Sequence, residues 1–223
     1  MQTLRITQNK TLESEAIRYL VYGKHAIDER TKEMIQDSFK ELEEISNVRF
    51  IYRIFEVSLL EDMKEHGLKL GTLEIYSKNL KKNLQDCPNA ILFCITLGTE
   101  VDRLIRRYSI TNMPRAVVMQ ACAAAYLEAG CDLAQEYMKK EVGAGWYFRP
   151  RFSPGYGDFS ILYQKDVLQM LDASKKIGVT MTDSYMMTPT KSVTAVIGMS
   201  REKQVCHVAG CEQCAKKDCI YKR

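Results

Sequence analysis

The chemistry-bearing residues of this 223-residue chain concentrate in two stretches. The first, Arg149-Pro150-Arg151-Phe152-Ser153-Pro154-Gly155-Tyr156-Gly157, packs two arginines, two prolines and two glycines into nine residues. Proline fixes φ and glycine permits positive φ, so the segment reads as a rigid, shaped turn. Such a turn, carrying a guanidinium fork and a phenol, suits a small anionic or zwitterionic ligand. The second stretch is Cys206-His207-x3-Cys211-x2-Cys214-x4-Cys219, four thiols within fourteen residues. Four thiolates make a complete tetrahedral set for zinc or for a cubane iron–sulfur cluster, with His207 as a substitute ligand. The short span resembles a compact cluster loop more than a zinc ribbon, but the spacing is not that of bacterial ferredoxins. Iron–sulfur cluster, zinc and a metal-free tail therefore all stand as readings.

Other candidates carry less. Glu128 sits among alanine, leucine and glycine neighbours, where a carboxylate is either solvated or put to use. His25 and His66 read as surface residues. Gly143-Ala144-Gly145 closes a helix instead of opening one, so it is a helix cap and not a phosphate loop. Cys87, Cys94, Cys122 and Cys131 are scattered through apolar segments and read as buried small hydrophobes in a reducing compartment.

The elements that must position these groups predict an α+β fold. Helices are expected over Leu12–Tyr22, Asp28–Ser46, Glu100–Tyr108 and Arg115–Val142, the last opened by Pro114. A helical period recurs from Ile161 to Leu171. Val48–Val57 and Ala90–Leu97 read as strands, the latter buried on both faces. Glu61–Cys87 reads as an amphipathic connection. Val179–Met187 and Ser192–Met199 read as two further strands, split by Thr188-Pro189-Thr190. The predicted architecture is a twisted, mostly antiparallel sheet with long flanking helices, a helical N-terminal part and a short Cys-rich C-terminal tail. Residues 1–60 form a helical and strand part of the same domain, 61–200 the core, and 201–223 the tail.

Two motifs carry a resemblance. R-F-S-P-G-Y at Arg151–Tyr156, followed by D-S-Y-M-M-T-P-T-K-S-V at Asp183–Val193, is similar to the activation (S-adenosylmethionine-binding) domain of cobalamin-dependent methionine synthase. There an R-P-A-P-G-Y loop precedes an E-S-F-A-M-x-P-x-x-S-V segment at similar spacing. The resemblance implies that Arg151, Ser153, Gly155 and Tyr156 line an S-adenosylmethionine site. Leu127-Glu128-Ala129 matches a helix whose glutamate contacts the same ligand. On that reading Arg151 forks onto the ligand carboxylate, as lysine could not. Gly155 lets backbone approach, Ser153 offers backbone polar groups, and Tyr156 gives a hydroxyl or an aromatic face to the sulfonium. Two family contacts have no counterpart: an N-terminal aspartate, and a tyrosine where Met199-Ser200 runs into Arg201.

Composition bounds the alternatives. The chain is 46% hydrophobic and 27% charged, as a soluble globule with a core should be. A net charge of +4, not gathered into one stripe, argues against nucleic acid. The sequence holds no apolar run long enough to span a membrane and no secretory signal, so a cytoplasmic location is expected. The resemblance implies reductive reactivation: cob(II)alamin gains one electron and is methylated from S-adenosylmethionine. No D-x-H-x-x-G motif is present, so cobalamin is expected on a partner, a methionine synthase lacking its own activation domain. An electron donor such as flavodoxin or ferredoxin would serve it. Two rival readings are a reductive activator of another corrinoid methyltransferase, working through a cluster in the tail, and a zinc-stabilised, non-enzymatic binding module.

Overall fold

The most apolar run of the chain becomes the middle of its sheet. The structure, a computed structural model, describes residues 1–7, 9–20, 27–60 and 67–202. In chain order the elements are β1 (Gln2–Thr3), α1 (Lys10–Tyr19), α2 (Glu29–Ile45), β2 (Arg49–Leu59), β3 (Gly67–Leu70), β4 (Leu73–Tyr76) and α3 (Lys78–Asn83). There follow β5 (Asn89–Thr96), α4 (Thr99–Thr111), α5 (Met113–Val142) and β6 (Tyr147–Phe148). After a 3-10 turn at Ile161–Tyr163 come α6 (Gln164–Leu171), α7 (Ala173–Ile177), β7 (Thr180–Met181), β8 (Met187–Thr188) and β9 (Ser192–Ser200).

Seven of the described strands form one sheet in the order β4-β3-β2-β5-β9-β6, with β1 also paired to β2, while β7 and β8 pair apart from it, and every pairing is antiparallel. Strand β5 is central: it pairs with β2 from Arg49↔Thr96 to Glu56↔Asn89, and with β9 from Asn89↔Met199 to Thr96↔Ser192. Its alternation sends Ile91, Phe93 and Ile95 into one core and Ala90, Leu92 and Cys94 into the other. A strand buried on both faces needs an unbroken apolar run, and Ala90–Leu97 supplies one. On the first face α1, α2, α4 and α5 cover the sheet; on the second, α3, α6 and α7 do so.

Helix α5 lies against the sheet because its buried stripe is small. Ala121, Cys122, Ala123 and Ala125 bring the helix axis close, and a Cβ on Gly130 would sit 3.2 Å from both Ile6 and Ile95. Asn112 caps its start by accepting from the Arg115 amide at 3.2 Å, and Gly143 ends it at φ +79°. Asp28 caps α2, accepting from the Thr31 amide at 2.7 Å. These boundaries agree with the sequence to within a few residues.

Two expectations need correction. Glu61–Cys87 contains, in its described part, the β3–β4 hairpin and α3. Gly71 makes the hairpin turn at φ +57°, and a Cβ there would meet the Phe55 ring at 2.7 Å. Val179–Met187 is not one strand but the short β7–β8 hairpin. The Thr182 amide donates to the Met186 carbonyl at 2.9 Å, Thr182 and Ser184 bond each other at 2.9 Å, and the Thr182 hydroxyl accepts from the Met186 amide at 3.2 Å, so hydroxyls reinforce a tight turn there. Helix α1 ends at Tyr19, and Gly23, with His25 and His66, lies outside the described residues. Among the described residues no helix is long and apolar enough to cross a membrane.

Candidate functional site

The loop from Arg149 to Gly157 is fixed at both ends. At its start the Arg149 amide donates to the Gly198 carbonyl at 2.8 Å, and Phe152 exchanges two backbone hydrogen bonds with Val196 of β9 at 2.9 and 2.8 Å. At its end Asp158 takes hold of α3: its carboxylate accepts from Ser77 Oγ at 2.6 Å and from the amides of Lys78 and Asn79 at 2.7 and 3.0 Å. Those three hydrogen bonds hold the Asp158 carboxyl below its ordinary pKa of 3.8. Between the anchors the Phe152 ring packs against Phe159 and Tyr156. Gly155 stands at φ +94° and donates its amide to Phe159 at 2.7 Å. The turn is therefore built for rigidity, with glycine where the backbone turns left-handed.

The two arginines of the loop part company. Arg149, 6% exposed, crosses β9 at Gly198, where a Cβ would lie 2.9 Å from its Cγ, and donates to the Gln85 carbonyl at 3.0 Å. Arg151 points to α5 instead. Its Nη1 donates to Asp132 at 2.6 Å and its Nη2 to Glu128 at 3.1 Å. Glu128 and Asp132 are four apart on a helix, so they share a face and grip one guanidinium together. Burial opposes the charge on Arg151, but the adjacent Asp132 and Glu128 carboxylates prevail, and its pKa is raised.

This triad forms one wall of an open cleft of about 940 Å³. The loop adds Ser153 and Tyr156, β9 adds Thr194, and α1 adds Arg18 and Tyr19, while Tyr185 and Met187 come from the β7–β8 hairpin. Gln164, buried at the cleft, accepts from Thr194 Oγ1 at 2.9 Å and turns its amide to the Met187 sulfur at 3.6 Å. A second cleft of about 430 Å³ adjoins the same triad and runs toward Asn9 and Glu15. Burial, reinforced by Glu128, raises the pKa of both Tyr19 and Tyr156, so both phenols stay protonated at neutral pH. Asp102 of α4 secures the rim, accepting from the Thr190 amide and hydroxyl, each at 2.6 Å.

Of the residues singled out from sequence, Arg151, Ser153, Tyr156 and Glu128 converge on the larger cleft. Gly155 is part of the same turn but is not among the residues walling the cleft. The sequence reading missed Asp132, Arg18, Tyr19, Gln164 and Tyr185. Asp132 was signalled by its four-residue spacing from Glu128, and Tyr185 by its place in the second motif; α1 gave no local signal. Cys206, Cys211, Cys214, Cys219 and His207 lie outside the described residues. Among the described residues no group of three metal-ligating side chains comes together. Cys87, Cys94, Cys122 and Cys131 are buried as expected, and burial pushes Cys122 up to about 12 and Cys94 and Cys131 higher still.

A guanidinium flanked by two carboxylates is a receptor for a zwitterion: the cation takes a carboxylate and the anions take an ammonium. The phenols and the breadth of the cleft, with Ile161, Met187 and Val193 among its polar walls, leave room for a larger body attached to that head.

A family model described as vitamin B12 dependent methionine synthase, activation domain, matches residues 72–222. Among solved structures the chain is similar to one described as the crystal structure of the MetH reactivation domain bound to AdoHcy. The TM-score is 0.60 at 14% identity, over 91% of this chain and 79% of that one, a likeness of fold. No curated protein matches the sequence.

Proposed function

This chain belongs to the vitamin B12 dependent methionine synthase activation domain family, and we propose that it binds S-adenosylmethionine in the Arg151 cleft and presents it to a cobalamin carried by a partner protein. The observation that carries the reading is the Arg151–Glu128–Asp132 triad at the wall of the larger cleft. Arg151 fits the ligand carboxylate and Glu128 its ammonium, while Tyr156 and Tyr19 offer phenols to the ribose or a ring face to the sulfonium. Ser153 offers backbone polar groups from the fixed loop. The partner's cobalamin, reduced by one electron from a donor such as flavodoxin or ferredoxin, would supply the methyl acceptor. This chain's own residues bind and orient, and the rigid loop keeps the donor in one pose. The partner on this reading is a cobalamin-dependent methionine synthase.

Isothermal titration with S-adenosylmethionine tests the assignment. Arg151→Ala should weaken binding by about 2–3 kcal/mol, roughly thirty- to over a hundredfold, through loss of a charge-assisted pair. Arg151→Lys should lose nearly as much, because a point ammonium cannot reproduce two parallel hydrogen bonds to a carboxylate. Arg149 is no control, since its side chain is built into the sheet. Arg103, exposed on α4 and paired with Glu100 at 2.6 Å, serves instead, and Arg103→Ala should bind normally. Normal binding by Arg151→Ala with unchanged circular dichroism would defeat the proposal.

A further inference from the structure

Resting on the reading that the cleft takes S-adenosylmethionine, we infer that Asp132 is a specificity-determining residue that makes the site prefer the sulfonium over its thioether product. S-adenosylmethionine carries a carboxylate, an ammonium and a sulfonium, a net charge of +1. After methyl transfer the sulfur becomes a neutral thioether and S-adenosylhomocysteine has no net charge. A site that binds a donor and must release its product therefore gains by reading that single charge.

The charges around the cleft supply the means. Arg18 is closed on Glu15, with Nε and Nη2 donating to the same carboxylate oxygen at 3.0 and 2.6 Å. Arg149 also lines the cleft, but it is buried and its Nη2 is engaged by the Gln85 carbonyl. Where the loop meets α5, one cation, Arg151, stands against two anions, Glu128 and Asp132. When Arg151 takes the ligand carboxylate and one anion takes the ammonium, a second anion is left over. A zwitterionic head needs only one. The surplus matches the sulfonium, which stands a few bonds from the amino-acid head.

Asp132 is the better candidate for the surplus charge. Both residues wall both clefts, but the Asp132 side chain is 71% exposed against 38% for Glu128, so the ligand's arrival can move it off Arg151 toward the sulfonium. At separations of about 6–8 Å in a partly solvated site, one such charge is worth roughly three- to tenfold in affinity.

The experiment compares dissociation constants for S-adenosylmethionine and S-adenosylhomocysteine in wild type, Asp132→Asn and Glu136→Gln. Releasing Arg151 from Asp132 affects the carboxylate of both ligands alike and cancels in their ratio. Asp132→Asn should lower the preference for the sulfonium about three- to tenfold. Glu136→Gln, which removes a charge one turn along α5 where it pairs with Lys139 at 2.7 Å, should leave the preference unchanged. Asp132→Glu should keep it, and added salt should erode it in the wild type. A ratio that Asp132→Asn does not change, or that both variants lower equally, overturns the inference. Wild type binding neither ligand overturns the reading beneath it, a separate result.

Discussion

Tyr185 holds a backbone conformation that side chains other than glycine usually avoid, with φ +62°. It faces the cleft, and its amide donates to Thr182 at 3.0 Å in the β7–β8 turn. The left-handed region costs an ordinary residue about 1–2 kcal/mol, a cost normally found where a site requires it. This position should therefore invert the usual ranking of small substitutions. Tyr185→Gly should unfold at a higher temperature than Tyr185→Ala, by about 1 kcal/mol in stability, whereas both should weaken ligand binding by removing the ring. Thermal melts paired with titrations check this, and an alanine variant at least as stable as the glycine one would refute it. The same scale shows what sequence could and could not deliver. Arg151 is legible because it sits inside a motif, while the adjacent Arg149 looks equivalent and differs only because β9 leaves a gap at Gly198 for its side chain. Asp132 and Arg151 are nineteen residues apart, and only the return of the loop onto α5 makes them a pair.

The Asp158 carboxylate ties helix α3 to the end of the Arg149–Gly157 loop, with a longer bond from Asn83 to the Pro150 carbonyl beside it. Its folded pKa is lowered by Ser77 and by the α3 amides. Its contribution to stability is therefore fully present above the ordinary value of 3.8 and disappears as pH falls through the lower folded value. Asp158→Asn should be less stable than wild type at neutral pH, and that difference should shrink on acidification below about pH 4. Denaturant titrations at pH 7 and at about pH 3 measure it, and a gap that stays constant between them removes Asp158 from the account. Elements with a long apolar period, α2, α5, β5 and β9, were legible in the sequence because burial imposes that period on any helix or strand facing a core. The β3–β4 hairpin was not, although Leu68, Leu70, Leu73 and Ile75 alternate around Gly71, because charged residues between them also suit an amphipathic connection. The β7–β8 turn was misread because Val179, Met181 and Met187 look strand-like while hydroxyls at Thr182 and Ser184 decide the local path.

The two cores lie on opposite faces of the same strands, so neither can come apart while β5 and β9 remain paired. The N-terminal helices α1 and α2 share their core with α5, which also provides the cleft wall. The molecule should consequently unfold as one unit. Trp146, the single tryptophan, packs at the edge of the first core with Arg201 stacked on its ring at 3.6 Å. Its fluorescence and the far-ultraviolet circular dichroism should give superimposable melts. Separated midpoints would instead divide residues 1–60 from the rest. The buried sulfurs carry a practical consequence. Of the eight cysteines, Cys94, Cys122 and Cys131 are sealed in the cores, where burial also suppresses the thiolate that reagents attack. Cys87 is buried too but lines an open pocket between α3 and β2. With Cys87 replaced by serine the protein contains its own blank for thiol counting, and a sulfur that reacts quickly before denaturation, or that a bound metal shields, can be assigned to the stretch holding Cys206, Cys211, Cys214 and Cys219.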